Sequence, residues 1–377
     1  MVTYRKALPG EREAYVAFAD MVFNASGDAT RFETDVPKVY APGVDSADMH
    51  YLAVDDARGI VGLAAVLPGE IRAGGVALRT GYIGTVCVHP QARGEGHMKR
   101  LMAMALDDMR ANGTDLALLN GQRQRYEHFG FAFGGEMLRF TLSEGCVRHA
   151  LRGVPDEDVC IEPMRPGSPE VPLALALHDA RPVRFARDAD SFVDVCRTYA
   201  KTPWALSRGG EFLGYLVSGR EKSAIAEIAA ASADALQAML KAWFVQNGLK
   251  RLEVSVPPAD AVTARRMASL ADGQAMGACI NVRAFNHRRV LQAMLAAKAS
   301  YRRLADGRMD FDVEGDRFSV AIADGRVEVS GGGTGTVRLT ELEASRLCIA
   351  PFDYEGRPEC PVGWFPLPIC ATSPDAF

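Results

Sequence analysis

The chain has 377 residues, more than one ordinary hydrophobic core accommodates and enough for two or three domains. With 48% hydrophobic and 24% charged residues and a formal net charge of -4, it has no excess of base to draw it to nucleic acid and no apolar run of membrane-spanning length. The start, MVTYRKALPGEREAY, lacks the apolar stretch of a secretory leader, and the eight cysteines are scattered without a CxxC pair, so a cytoplasmic protein with reduced thiols and no metal is expected.

Arg12 to Phe23 places apolar residues at Ala14, Phe18, Met21 and Val22 and reads as a helix, broken by Asn24-Ala-Ser-Gly27-Asp28. Asp28 there could face a cationic substrate or simply form the turn. Tyr51–Val54 and Ile60–Val66 read as a hairpin, with a further strand near Val76–Leu78. The stretch that organises the chain comes next. Ile83 to Pro90 is a strand stopped by proline, Gln91-Ala-Arg93-Gly94-Glu95-Gly96 is a glycine-punctuated loop, and Met98, Leu101, Met102, Ala105, Leu106 and Met109 have amphipathic-helix spacing up to Asn112-Gly113. Strand, loop and helix in that order make an anion site, because the first helical amides lack internal partners, the helix dipole is positive there, and glycine admits a phosphate to the backbone. The loop is neither a Walker loop, for no Gly-Lys-Ser/Thr follows, nor a Gly-x-Gly-x-x-Gly dinucleotide turn.

Asp115–Leu119 is a short, nearly all-apolar strand, as expected when both sheet faces are covered. Then comes Asn120, followed by Tyr126-Glu-His-Phe129-Gly-Phe131. Proline, glycine and acid between Gly153 and Pro172 mark a boundary. Beyond it Glu211–Val217 and Ala224–Ala229 form a second hairpin, Leu236, Met239, Leu240, Trp243 and Phe244 a helix, and Leu252, Val254 and Val256 a strand. The order of the first unit recurs, but Ala230 to Asp234 contains no glycine to admit a diphosphate. A helix over His287–Leu304, a hairpin turning at Asp324-Gly325, a glycine-rich turn, a strand over Thr336–Leu339 and a helix over Thr340–Arg346 then give an α+β unit. The tail from Ala350, with six prolines and no periodicity, reads as an extended arm.

Gln91-x-x-Gly94-x-Gly96 after Val86-x-Val88-x-Pro90 resembles the acetyl-CoA loop of the GCN5-related N-acetyltransferases (GNAT). The whole order of parts, ending in Ser373-Pro-Asp-Ala-Phe377, resembles the Eis (enhanced intracellular survival) acetyltransferases. The resemblance implies an α/β and α+β fold class: tandem GNAT-like domains followed by a sterol-carrier-like α+β domain. It divides the chain into a catalytic GNAT domain (1–150), a degenerate GNAT-like domain without a CoA site (151–286) and a sterol-carrier-like domain (287–377) whose tail enters the active site. It assigns the cosubstrate acetyl-CoA to Val86, Cys87 and Val88 on the strand, to Arg93, Gly94, Glu95, Gly96, His97 and Met98 on the loop, and to Asn120. Tyr126 becomes the acid and the terminal carboxylate of Phe377 the base, in a hexamer that acetylates a small-molecule amine of aminoglycoside, polyamine or lysine type.

The chemistry asks for both groups. A thiolate leaving group needs a proton, which a phenol of reference pKa about 10 gives to a thiol of about 8.5 only if its own pKa is lowered or transfer accompanies C–S cleavage. A terminal carboxylate, of reference pKa about 3.3 to 3.7, is ionised and attracts an ammonium. The plainer readings are a Tyr126 that only packs beside Phe129 and Phe131, and a Phe377 that frays as termini do. The match to Eis departs at Ala376, where relatives often carry an acid; here Asp375 lies one residue further back. His89, His97 and His128 lack metal-site spacing and are expected to meet CoA or solvent. A non-enzymatic lipid or acyl-CoA binding protein is the alternative reading.

Overall fold

In the computed structural model, which describes residues 1–27 and 30–377 and so leaves Asp28 outside the described residues, the long strands Gly59–Ala73 and Val76–Val88 form the spine. They are joined at Gly74-Gly75, both left-handed, and a Cβ on Gly74 would sit 2.5 Å from the Ala293 carbonyl oxygen, so only glycine turns there under the helix His287–Ala299. The strand expected near Val76 and the one from Ile83 are thus a single element.

Three sheets stand among the described residues. The first has eight strands: Val2–Lys6, His50–Asp55, Gly59–Ala73, Val76–Val88, Leu116–Leu119, Ile280–Ala284 and Ala132–Gly134 in spatial order, with Val183–Phe185 added beside Gly59–Ala73. One face carries the helix His97–Ala111, whose Leu101, Met102 and Ala105 pack on Val61 and Ala64. The other face carries Arg12–Asn24, His287–Ala299 and the tail in one continuous core that includes Leu63, Leu118, Met294, Phe311 and Trp364. Both faces are therefore dry, which is why Leu116–Leu119 is buried at every position.

The second sheet has seven strands, in the order Gly273–Gly277, Met137–Ser143, Arg251–Val256, Ala224–Ala230, Glu211–Ser218, Thr202–Arg208 and Val159–Pro163, around its own core of Trp243, Leu252 and Val254. Sheet membership crosses the boundaries expected at 150 and 286. Met137–Ser143 leaves the first sheet's neighbourhood at Gly135 to join the second, and Ile280–Ala284 returns to lie between Leu116–Leu119 and Ala132–Gly134. The third sheet, Arg326–Gly331, Asp316–Ala323, Gly307–Val313 and Val337–Leu339, completes an α+β unit with helix Glu341–Ile349, whose Thr340 and Glu343 form a capping box.

The tail has no regular structure but is held along its length. The Trp364 indole is fully buried and donates to the Ala305 carbonyl at 2.8 Å, and Lys298 donates to the Pro366 carbonyl at 2.6 Å. All eight cysteines are free thiols, with Cys279 and Cys370 3.7 Å apart at sulfur. Among the described residues no helix is long and apolar enough to cross a membrane, and no cluster of side chains could hold a metal ion.

Candidate active site

The central strand Val76–Val88 is interrupted where the chemistry is expected. Its register with Gly59–Ala73 shifts between the pairs Leu63–Cys87 and Ala65–Gly84, a bulge at Thr85-Val86. Thr85 has φ 50°, a conformation that costs a β-branched residue roughly 1–2 kcal/mol. Its hydroxyl is held by that of Tyr40 at 2.7 Å, and Tyr40 in turn lies 2.9 Å from Nε2 of His50, whose burial pushes it down to about 4. On the other side the parallel pairing with Leu116–Leu119 ends at Ile83 and Leu119. On that edge Gly84 to Val88 therefore run on with no strand beside them among the described residues, leaving backbone groups free for an extended ligand.

The loop after the strand is held open from outside. Glu95 is gripped by Arg58, from the hairpin turn, through bonds of 3.0 and 2.9 Å, and this guanidinium, helped by His97, holds its carboxyl down to about 2. His97 is buried between Tyr4 (2.7 Å) and Glu95 (3.0 Å). Gly94 and Gly96 are left-handed, with φ of 87° and 84°, and a Cβ on either would meet nothing within 4 Å. No side chain caps the helix that starts at His97, so its first amides are available to an anion.

These elements border a cavity of about 1340 Å³. Of the residues expected at acetyl-CoA, Val86, Cys87, Val88, Arg93, Gly94, Gly96, His97 and Met98 line it. Glu95 and Asn120 do not: Glu95 faces Arg58, and the Asn120 amide oxygen accepts from Tyr82 at 3.1 Å. His128, expected to meet CoA or solvent, also lines the cavity, and Lys99, Arg125, Gln122 and Gln124 add polar groups and Val22, Phe23 and Phe129 apolar ones that the sequence did not point to as ligand contacts. Lys99 had a readable signal, since a cation in the first turn opposes the helix dipole unless an anion sits there.

Tyr126 and Phe377 do not line this cavity themselves. Tyr126, 7% exposed, ends the short helix Arg123–Tyr126 between lining residues Arg125 and His128. Its ring stands edge-on to Phe131 and covers Gly121, where a Cβ would come within 2.4 Å of it. Burial raises the phenol's pKa and Arg125 only partly offsets this. Cys87 is also buried, and desolvation pushes its thiol well up, away from the thiolate a nucleophile needs.

Phe377 does not fray. It is 5% exposed, its ring lies 6.1 Å from that of Tyr40, and its carboxyl carbon would be 2.7 Å from a Cβ on Gly84, two positions before the cavity's Val86. Asp375, the acid displaced by one position relative to the expected pattern, is not free to meet a substrate, because it binds Arg187 at 2.9 Å and Thr372 at 2.8 Å. Arg187 also forms two 2.8 Å bonds to Glu227, so a buried ion cluster ties the tail to the second unit.

Residues 3–134 match the family model described as an acetyltransferase (GNAT) domain. No curated protein matches the chain. Among solved structures, a GCN5-related N-acetyltransferase from Anabaena variabilis is 17% identical with a TM-score of 0.65, over 92% of this chain and 89% of that one. A probable N-acyltransferase from Enterococcus faecalis gives 13% and 0.67 over 92% and 90%, and Eis1 from Mycobacterium abscessus 14% and 0.58 over 92% and 89%. The likeness at these identities is one of fold, and it runs over nearly the whole chain. The protein thus has the GNAT acetyltransferase fold, with the family match placed on its first unit.

Proposed function

We propose that the protein is an acetyl-CoA-dependent N-acetyltransferase of the Eis type that transfers acetyl directly to an amine. The observation that carries this reading is the conjunction, around one cavity, of an unpaired strand edge, two left-handed glycines with open space at their Cβ positions, an uncapped helix N-terminus and the basic side chains Arg93, Lys99 and Arg125. Pantetheine amides fit the strand edge, and phosphates fit the amides and guanidinium groups. Gly94 and Gly96 let the backbone approach, and Glu95 acts as a brace through Arg58.

In this reading the carboxylate of Phe377 accepts the proton of the incoming ammonium. The amine nitrogen then bonds to the thioester carbonyl carbon, the C–S bond breaks as Tyr126 gives its phenolic proton to the sulfur, and the acylated nitrogen loses its second proton to the tyrosinate so formed, which leaves a neutral amide, a free thiol and a restored phenol, while the proton held by the Phe377 carboxyl group passes to water. Because Tyr126 has a raised pKa, its proton moves as the bond breaks rather than beforehand. Cys87 stays neutral, and no covalent enzyme intermediate is needed. The three units, 1–150, 151–286 and 287–377, with Met137–Ser143, Val183–Phe185 and Ile280–Ala284 crossing between the first two, are a catalytic GNAT domain, a degenerate one and a sterol-carrier-like domain, assembling as a hexamer. The acceptor is an aminoglycoside, polyamine or lysine-type amine, and with Asp375 engaged by Arg187 the α-carboxyl group is the charge left to meet it.

The experiment is release of free thiol from acetyl-CoA across a panel of such amines. Amine-dependent release is expected. Tight acetyl-CoA binding with no release for any amine would instead make the protein a carrier.

A further inference from the structure

Lys38 is on the short helix Pro37–Tyr40, the same turn whose Tyr40 packs on Phe377 and holds the hydroxyl of Thr85. Its ammonium points inward and donates to two carbonyls of the tail, Pro374 at 2.7 Å and Ala376 at 2.6 Å. A desolvated cation bound to neutral carbonyls is an expensive arrangement, and burial pushes this one down to about 7, with Arg187 lowering it and Asp375 and Cys196 raising it. The tail does not need it for anchorage. Asp375 and Thr372 are already fixed to Arg187 and Glu227 on the second unit's side, and Trp364 and Pro366 to the third. What Lys38 adds is control of the last peptide unit: the Ala376 carbonyl belongs to the linkage that carries Phe377, and that residue has fixed neighbours in Gly84, just before the bulge, and the ring of Tyr40.

We infer that Lys38 is the positioning residue of the proton acceptor, holding the Pro374 and Ala376 carbonyls so that the α-carboxyl group of Phe377 stays against Gly84, two positions before the cavity's Val86. This rests on the reading that this carboxyl group takes the amine proton. Lys38 touches neither cosubstrate nor amine in this role. It acts through the geometry and charge of the tail, where a misplacement of about 1 Å costs a transfer reaction on the order of 10²-fold.

The test uses the full-length protein with either its natural α-carboxylate or a Phe377 α-carboxamide made by ligation, each with Lys38 intact or changed. Lys38→Met should lower kcat by about 10-fold or more while leaving the Kd for acetyl-CoA within about twofold, and Lys38→Arg should recover most of the loss. On the carboxamide background the same Lys38→Met should change kcat by less than about twofold, because the group it positions is already disabled. An equal loss on both backgrounds, or no loss on the natural one, overturns the role of Lys38. A carboxamide with full kcat overturns the carboxylate as base instead, whatever Lys38 does. Should Lys38→Met fail to bind acetyl-CoA, Lys38→Gln, which keeps an amide donor for a carbonyl, is judged by the same comparison.

Discussion

The first and second units contain the same parts and even the same irregularity. In each, the strand before the loop is bulged against its hairpin partner, at Thr85-Val86 in the first unit and beside Glu227 in the second. In each, parallel pairing with the strand after the helix is brief: Thr80–Ile83 with Leu116–Leu119, and Ala224-Ile225 with Glu253-Val254. The loop decides between them. In the first unit two left-handed glycines lead to an uncapped helix lined with cations, whereas in the second Ser232 turns directly into the helix Ala233–Gln246 and its hydroxyl accepts from the Ala235 amide at 3.0 Å. One helix end is satisfied by its own chain and the other is left for a ligand. The tail joins the two bulges, with Thr372 bonded to Glu227 and Phe377 packed on Gly84. The second unit thus anchors the tail whose last residue packs beside the first unit's bulge.

The comparison breaks most completely at the glycines. Gly94→Glu or Gly96→Glu forces a side chain into a left-handed backbone and puts a negative charge where an anion is expected. Acetyl-CoA binding should weaken by about 10³-fold or more in calorimetry, since strain and repulsion add. Affinity within threefold of the natural protein would move the cosubstrate elsewhere.

The next effect lies in the anchor. Arg187→Met leaves Asp375 buried without its cation and Glu227 with only Arg181, 3.5 Å away, a defect worth about 3–5 kcal/mol and read as a lower melting temperature. Its pH dependence has a definite sign. Burial raises the pKa of Glu227, but Arg187 and Arg181 together hold it well below the usual carboxylate range, so it stabilises the natural fold above the unfolded value of about 4.3 and loses that contribution as pH falls through the folded value. The deficit of Arg187→Met should therefore be largest near neutrality and shrink in acid. A deficit that stays constant with pH would show that Glu227 is not charged in the native core.

Tyr126→Phe comes third. It should lower kcat by about 10²-fold with acetyl-CoA affinity unchanged, because the hydroxyl lost is the proton donor of the proposed mechanism and the ring still covers Gly121. Turnover within a factor of two would leave Tyr126 a packing residue.

What the sequence shows and what it hides divide along the range of the interactions. The glycine loop, its helix and both hairpins are written in local spacing, and most of the residues expected at the cosubstrate do border one cavity. The exchange of Met137–Ser143 and Ile280–Ala284 between sheets was not legible, although Ile280, Val282 and Ala284 alternate, because no turn links a five-residue strand to partners some 160 positions away. Glu95 belonged by position to the loop, and only the folded hairpin brings Arg58 onto it. Lys38 carried no signal at all. A lysine in a four-residue helix is ordinarily solvated, and its burial exists only once the tail has crossed over it.

The smallest expected effect sharpens the contrast from the silent side. Ser232→Ala removes the one hydroxyl that satisfies the second helix's N-terminus and should cost about 1 kcal/mol, a few degrees of melting temperature, with no change in kcat or in acetyl-CoA affinity. Ser232→Gly, which keeps a tolerated cap residue and opens the backbone, should cost less and give this helix end a little anion affinity, visible as slight stabilisation by phosphate that Ser232→Ala lacks. Equal behaviour of the two variants in phosphate would mean that the cap is not what keeps ligands away, and that the difference between the units lies in the basic wall of Arg93, Lys99 and Arg125 rather than in the loop.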